Sequence, residues 1–186
     1  MNTRAPLVWS AAGLLAVLLL PWYALQEGLG SGAWLGGLWS SDDDASGLAQ
    51  IAAHGRWWLW PVFAALATCL ALSATPMARE RRGALLVLAA GAGILFFVAQ
   101  ALAIGLRGWN AAVLVALFGE LDGRQVGIGA GATVVLIALL ALLSIGLALR
   151  GGFGGDAFVA GAVTAVAASI VLFTAWPVLQ IGRAHV

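Results

Sequence analysis

The sequence predicts an all-α protein, a multi-pass transmembrane helix bundle of about five spans plus a short interfacial or re-entrant helix. Three observations predict it. Apolar residues make up 62% of the 186 positions and charged residues only 9%, whereas soluble domains are roughly half apolar and a quarter charged. The apolar residues fall into stretches of about 20, the length that crosses roughly 30 Å of hydrocarbon at about 1.5 Å per residue. Tryptophans gather beside the ends of these stretches, where an apolar ring with a polar edge prefers the headgroup region.

Taken in order, the first predicted span runs from Leu7 to Leu25. It continues past Pro21 and lacks a small-residue cleavage site, so it reads as a retained anchor and not as a signal peptide. The second runs from Trp57 to Thr75 and contains the single cysteine, Cys69, expected to serve as a small buried hydrophobe. The third runs from Ala84 to Leu106, the fourth from Gly129 to Leu149 and the fifth from Ala157 to Gln180. No span carries a charged residue in its interior, which removes the usual pointer to a proton relay or intramembrane ion site. Gln100 is the strongly polar side chain set deepest in a span, and an interhelical hydrogen bond is its expected role. Small residues such as Gly91-Ala92-Gly93 and Gly127, Gly129 and Gly131 are expected to let helices approach closely.

The connections are unequal. Gln26 to Arg56 forms a long loop rich in Gly and Ser, with Asp42, Asp43 and Asp44 adjacent. Those carboxylates lack the alternating ligands and turn glycine of a calcium loop, so a solvated loop is expected. His54 has no second His or Cys beside it to complete a metal set, and a polar role at the interface is expected. Arg107 to Ile128 contains the apolar run Ala111 to Phe118, too short to cross and therefore expected to lie at the interface or re-enter. Trp22, Trp34, Trp39, Trp57, Trp58, Trp60 and Trp109 together read as an aromatic belt. Gly151 to Asp156 lacks the Lys-Ser/Thr ending of a phosphate loop and reads as a flexible turn.

Arginine sets the expected orientation, because positive charge is disfavoured on the translocated side. With the N-terminus inside, Arg4, Arg79, Arg81, Arg82 and Arg150 face the cytoplasm, and Arg56, Arg107 and Arg124 lie opposite. The formal charge of +1 offers no basic field for nucleic acid. There is no GxSxG, no paired buried carboxylates and no His-Cys-Asp set, so no enzymatic activity and no catalytic, cofactor or metal site is expected.

Several stretches carry a family resemblance: Leu20-Pro21-Trp22-Tyr23, His54-Gly55-Arg56-Trp57-Trp58, Ala103-Ile104-Gly105-Leu106-Arg107-Gly108-Trp109, and Gly155-Asp156-Ala157-Phe158 leading to Trp176-Pro177-Val178-Leu179-Gln180. Together the chain resembles the N-terminal part of permease subunits of bacterial binding-protein-dependent ABC importers, of the iron(III) type with extra N-terminal spans. The resemblance implies that residues 1–150 are a four-span extension and residues 151–180 the first helix of the permease core. It implies an ABC ATPase subunit, a periplasmic substrate-binding protein and the lipid bilayer of the bacterial inner membrane as partners. The Glu-Ala-Ala coupling loop of the family is absent, so no functional residue carries over. Residues 181–186, Ile-Gly-Arg-Ala-His-Val, look like a translated sequencing adapter breaking from the helix before them. They are expected to be a non-native tail, with the native chain continuing beyond Gln180. The alternative to a permease fragment is a small accessory or assembly membrane protein.

Overall fold

The computed structural model describes residues 4–24, 45–105, 108–109, 111–121 and 128–184. Asp42 to Asp44, Trp34, Trp39, Arg107, Arg124 and Gly127 lie outside the described residues.

Seven α-helices are present among the described residues: α1 (Ala5–Leu19), α2 (Gly47–Ala52), α3 (Trp60–Ala74), α4 (Arg79–Ala103), α5 (Ala112–Phe118), α6 (Ala130–Leu149) and α7 (Ala157–Ala184). A 3₁₀ turn (Trp57–Leu59) leads into α3, and another (Gly152–Gly155) leads into α7. Among the described residues the paired extended backbone is a two-residue antiparallel ladder, β1 (Ile104–Gly105) on β2 (Gly108–Trp109), and two isolated bridges. The fold is an all-α membrane bundle.

Local chemistry explains where each helix ends. Pro6 and Pro61 occupy first-turn positions of α1 and α3, where the missing N–H costs nothing. Leu20 and Thr75 each precede a proline and are extended, at ψ 148 and 132, because the proline ring disfavours the helical region for its predecessor. The expected first span therefore stops at Leu19 and not at Leu25. Its 15 residues rise about 22 Å, short of a full hydrocarbon crossing. At the start of α4 the difference runs the other way. The helix begins at Arg79, five residues before the expected Ala84, because Arg and Glu are good helix formers and arginine stems reach back to the polar boundary.

Gly151 ends α6 in the left-handed region at φ 86, and the turn that follows is structured. Asp156 Oδ1 accepts the N–H of Phe158 at 2.8 Å and of Val159 at 3.3 Å, capping α7. The last helix runs through Ala184, past the break expected after Gln180.

Three stretches, Trp57–Ala74, Arg79–Gln100 and Ala130–Leu149, are long and apolar enough to cross a membrane, and Ala5–Leu19 and Ala157–Val171 are shorter apolar helices. The chain is a helical membrane protein. Its core is shared by α1, α3, α4 and α6, with Val17, Leu66, Cys69, Leu86, Val135 and Leu139 among its buried members. Cys69 has the expected place, fully buried. Helix α6 is the hub, packing against α1, α4 and α7, while α7 rests chiefly on α6 and the turn before it. Of the α7 side chains described, most are exposed: Phe158, Val166, Ile170 and Phe173 point away from the bundle.

The antiparallel order gives the bundle two chemically different ends. At one, Arg82 Nη2 donates to the Thr75 carbonyl at 2.9 Å, and α4 meets α6 at Gly83 and Gly146, beside Arg150. This is the basic end. At the other, Pro21 bridges to Ser46, Tyr23 bridges to Ile128, and Trp22 packs on Phe97. This is the aromatic end.

Candidate functional site

Among the described residues, the aromatic end gathers the buried polar side chains Ser46, Gln50 and Arg56, while the buried Ser10 and Ser144 hydroxyls donate to the Pro6 and Leu140 carbonyls of their own helices. Beyond Pro21 the backbone runs extended across the end of the bundle, gripped on both sides. The Trp22 N–H donates to the Ala45 carbonyl at 3.1 Å, while the Gly129 and Gly131 N–H groups donate to the Trp22 and Pro21 carbonyls at 3.0 and 2.8 Å. A segment without helix thereby satisfies its buried polar groups.

Over it sits α2. Ser46 is the N-cap, its hydroxyl accepting the Ala49 N–H at 3.4 Å. Gln50 on this helix is fully buried, and its carbonyl accepts the Arg56 N–H at 2.9 Å. That bond turns the chain at Gly55 (φ 66), the left-handed conformation glycine adopts freely. The turn drives Arg56 inward. Only 7% of Arg56 is exposed, and its guanidinium carbon stands 4.8 Å from the centre of the Tyr23 ring, within cation–π range. Tyr23, Gln50, His54 and Arg56 are all engaged by interactions.

An aromatic cluster closes the other side. Trp58 meets Trp109 edge-on at 5.0 Å and Phe118 at 6.1 Å, and Trp109 lies 5.4 Å from Phe118. Trp109 Nε1–H donates to the Gly119 carbonyl at 3.0 Å. The cluster pins α5, the short helix expected from Ala111 to Phe118, against the 3₁₀ turn before α3. Val113 and Leu117 of α5 remain exposed, as an interfacial helix requires.

The tryptophans therefore divide into two groups, which corrects the reading of one belt. Trp57 and Trp60 are exposed, as belt residues should be, whereas Trp22 and Trp58 are buried and make the interior of the cap. Gln100 also differs from expectation. Its Oε1 is buried with no hydrogen-bond partner among the described residues, as is Trp58 Nε1. His54 is half-buried at the rim. Among the described residues no group of three His, Cys, Asp or Glu gathers.

Sequence reasoning missed Gln50, Tyr23 and the burial of Arg56. The available signal was Ser46 followed by Leu48-Ala49-Gln50-Ile51-Ala52, a capped apolar run within the Gly/Ser-rich loop. What the arrangement can do is hold a fixed positive charge inside an aromatic cap over the end of the bundle. Substituting Arg56→Gln is expected to destabilise the protein by about 2 kcal/mol, the scale of a desolvated cation–π contact. Unfolding in mixed micelles measures it. Removing the ring first, as Tyr23→Leu, should erase most of the additional effect of Arg56→Gln; full additivity would place the stabilisation elsewhere.

No protein family, no curated protein and no solved structure matches the chain.

Proposed function

We propose that the chain is part of the membrane permease subunit of an ABC importer, forming one portion of the transmembrane path for a substrate delivered by a periplasmic binding protein. Ferric iron is the substrate class that the resemblance suggests, with ATP hydrolysed by a separate subunit. The observation that carries the reading is where the resembling stretches lie. Leu20 to Tyr23, His54 to Trp58 and the hairpin ending at Trp109 are far apart in sequence, yet they meet in one cap through Arg56 on Tyr23 and Trp58 on Trp109. The exposed apolar side chains of α7 between Phe158 and Phe173 also support it, since a first core helix needs further helices beside it. A second reading, a small accessory or assembly protein, is favoured by the self-contained core that α1, α3, α4 and α6 build without α7.

The test is deletion of the gene from its source genome, followed by measurement of binding-protein-dependent uptake of ferric iron. Loss of uptake, restored by the uninterrupted genomic reading frame, supports the importer. Normal uptake, with a genomic stop after Gln180 in α7, would select the accessory protein. The 186-residue chain alone is expected not to restore uptake, because Ala78 to Gly83 and Arg150 to Asp156 are too short to dock an ATPase.

In this reading the N-terminus and the basic end face the cytoplasm of a bacterial inner membrane. A reporter active only in the periplasm should work at Asp43 and Asp122 and fail at Arg81 and Gly152. The reverse pattern would overturn the orientation.

A further inference from the structure

The basic end gathers five arginines, Arg4, Arg79, Arg81, Arg82 and Arg150, against Glu80 and Asp156. One of those carboxylates is already occupied, because Asp156 accepts the N–H groups that open α7. Among the described residues no carboxylate pairs with Arg79, Arg81, Arg82 or Arg150. Arg79, Arg81 and Arg150 are exposed, and Arg82 is half-buried with Nη2 on the Thr75 carbonyl.

These cations sit on a rigid seat. A Cβ on Gly83 would lie 2.8 Å from the Gly146 carbonyl oxygen and 3.0 Å from Arg150 Cγ, so the stem of Arg150 lies against α4. Arg79 Nη2 would lie 3.5 Å from a Cβ on Gly155, placing that guanidinium beside the turn between α6 and α7. Arg79 of α4 and Arg150 at the C-cap of α6 thus stand beside a close approach of the two helices. Apolar α4 begins its descent immediately after Arg82, with Leu86 fully buried, so the cluster stands where hydrocarbon gives way to headgroups.

We propose that this end binds the phosphate headgroups of anionic phospholipids, with Arg79 and Arg150 as the principal contacts. A guanidinium offers a planar fork of donors that fits two phosphate oxygens at once. The bilayer supplies phosphate at the depth where these side chains emerge, and each arginine near an anionic surface favours binding by about fivefold. The inference rests on the membrane-spanning character of the chain and not on the importer reading.

The experiment reconstitutes the purified chain in phosphatidylcholine bilayers and compares spin-labelled phosphatidylglycerol with spin-labelled phosphatidylcholine in the shell of motionally restricted lipid. Phosphatidylglycerol should be preferred, and the preference should fall about fivefold in Arg79→Gln and in Arg150→Gln. Glu120→Gln, far from this end, should leave it unchanged. Arg79→Lys and Arg150→Lys keep the charge needed for insertion and should lose only part of the preference. If the Gln variants fail to insert, the Lys variants and a salt titration of the native chain decide, since headgroup pairing at the surface must weaken as salt screens it. Equal association of the two lipids, a preference indifferent to salt, or unchanged Gln variants would overturn the proposal. So would loss of the preference on adding inorganic phosphate at matched ionic strength, which would assign the site to a free anion.

Discussion

Replacing Gly129 with alanine is expected to cost about 3 kcal/mol or more of stability, at the upper end of what overpacking does. The position carries no backbone strain, since its φ is −88. The difficulty is space: a Cβ there would overlap the Tyr23 carbonyl group and lie 2.8 Å from the Trp22 carbonyl oxygen. Neither neighbour is the flexible tip of a side chain. Both belong to the extended segment after Pro21, and that segment is tied to the start of α6 by the Gly129 and Gly131 N–H groups and by the bridge from Tyr23 to Ile128. Relief of the overlap means breaking those bonds, which leaves buried backbone groups unpaired. The cap would lift with them, carrying Tyr23 away from Arg56. Unfolding in mixed micelles and the tryptophan emission of the native state measure the two consequences. Gly91→Ala is the reference: nothing lies within 4 Å of its added methyl, and helix propensity alone should raise stability by roughly 0.5–1 kcal/mol. Equal behaviour of the two variants would show that the segment is not clamped as described.

The long helices were legible in the sequence because apolar length is a local property. Some twenty uncharged residues have few alternatives once hydrocarbon is the solvent. Their ends were legible only where the signal was also local. Pro76 marks the end of α3 well, and Pro21 carries the same information about α1; the apolar residues after Pro21 masked it. The cap was not legible, because nothing near Arg56 in sequence says that it is buried. An arginine followed by two tryptophans has the composition of an interfacial turn, and that was the expectation. Its burial comes from Tyr23, 33 positions earlier, brought over the bundle by pairings with Ser46 and Ile128. The same long-range pairing sorts the tryptophans: Trp22 and Trp58 face the cap, while Trp57 and Trp60, adjacent in sequence to Trp58 and Leu59, turn outward. Periodicity cannot make that distinction where the helix is a three-residue 3₁₀ turn.

Gly83 and Gly146 are expected to behave as one unit, and a double-mutant cycle reads the coupling. In hydrocarbon, helices gain no hydrophobic drive from meeting, so their association depends on close contact. Here α4 and α6 come close enough that a methyl on Gly83 would meet the Gly146 carbonyl oxygen at 2.8 Å, and one on Gly146 would meet the Gly83 carbonyl oxygen at 3.0 Å and Val87 Cγ2 at 2.9 Å. Each alanine therefore has backbone in its way and must push the helices apart at the basic end. Either single variant should lose roughly 1–3 kcal/mol, the scale of inserting one group into a packed core. Once the first methyl has separated the helices, much of the room for the second already exists. The double variant should consequently be less damaging than the two singles combined, with a coupling of roughly 0.5–3 kcal/mol. Separation also withdraws Arg150 from its seat against Gly83, so the same variants should weaken the preference for anionic lipid without removing any charge. Additive losses, with that preference intact, would mean that the two glycines do not form the contact on which the basic end is built.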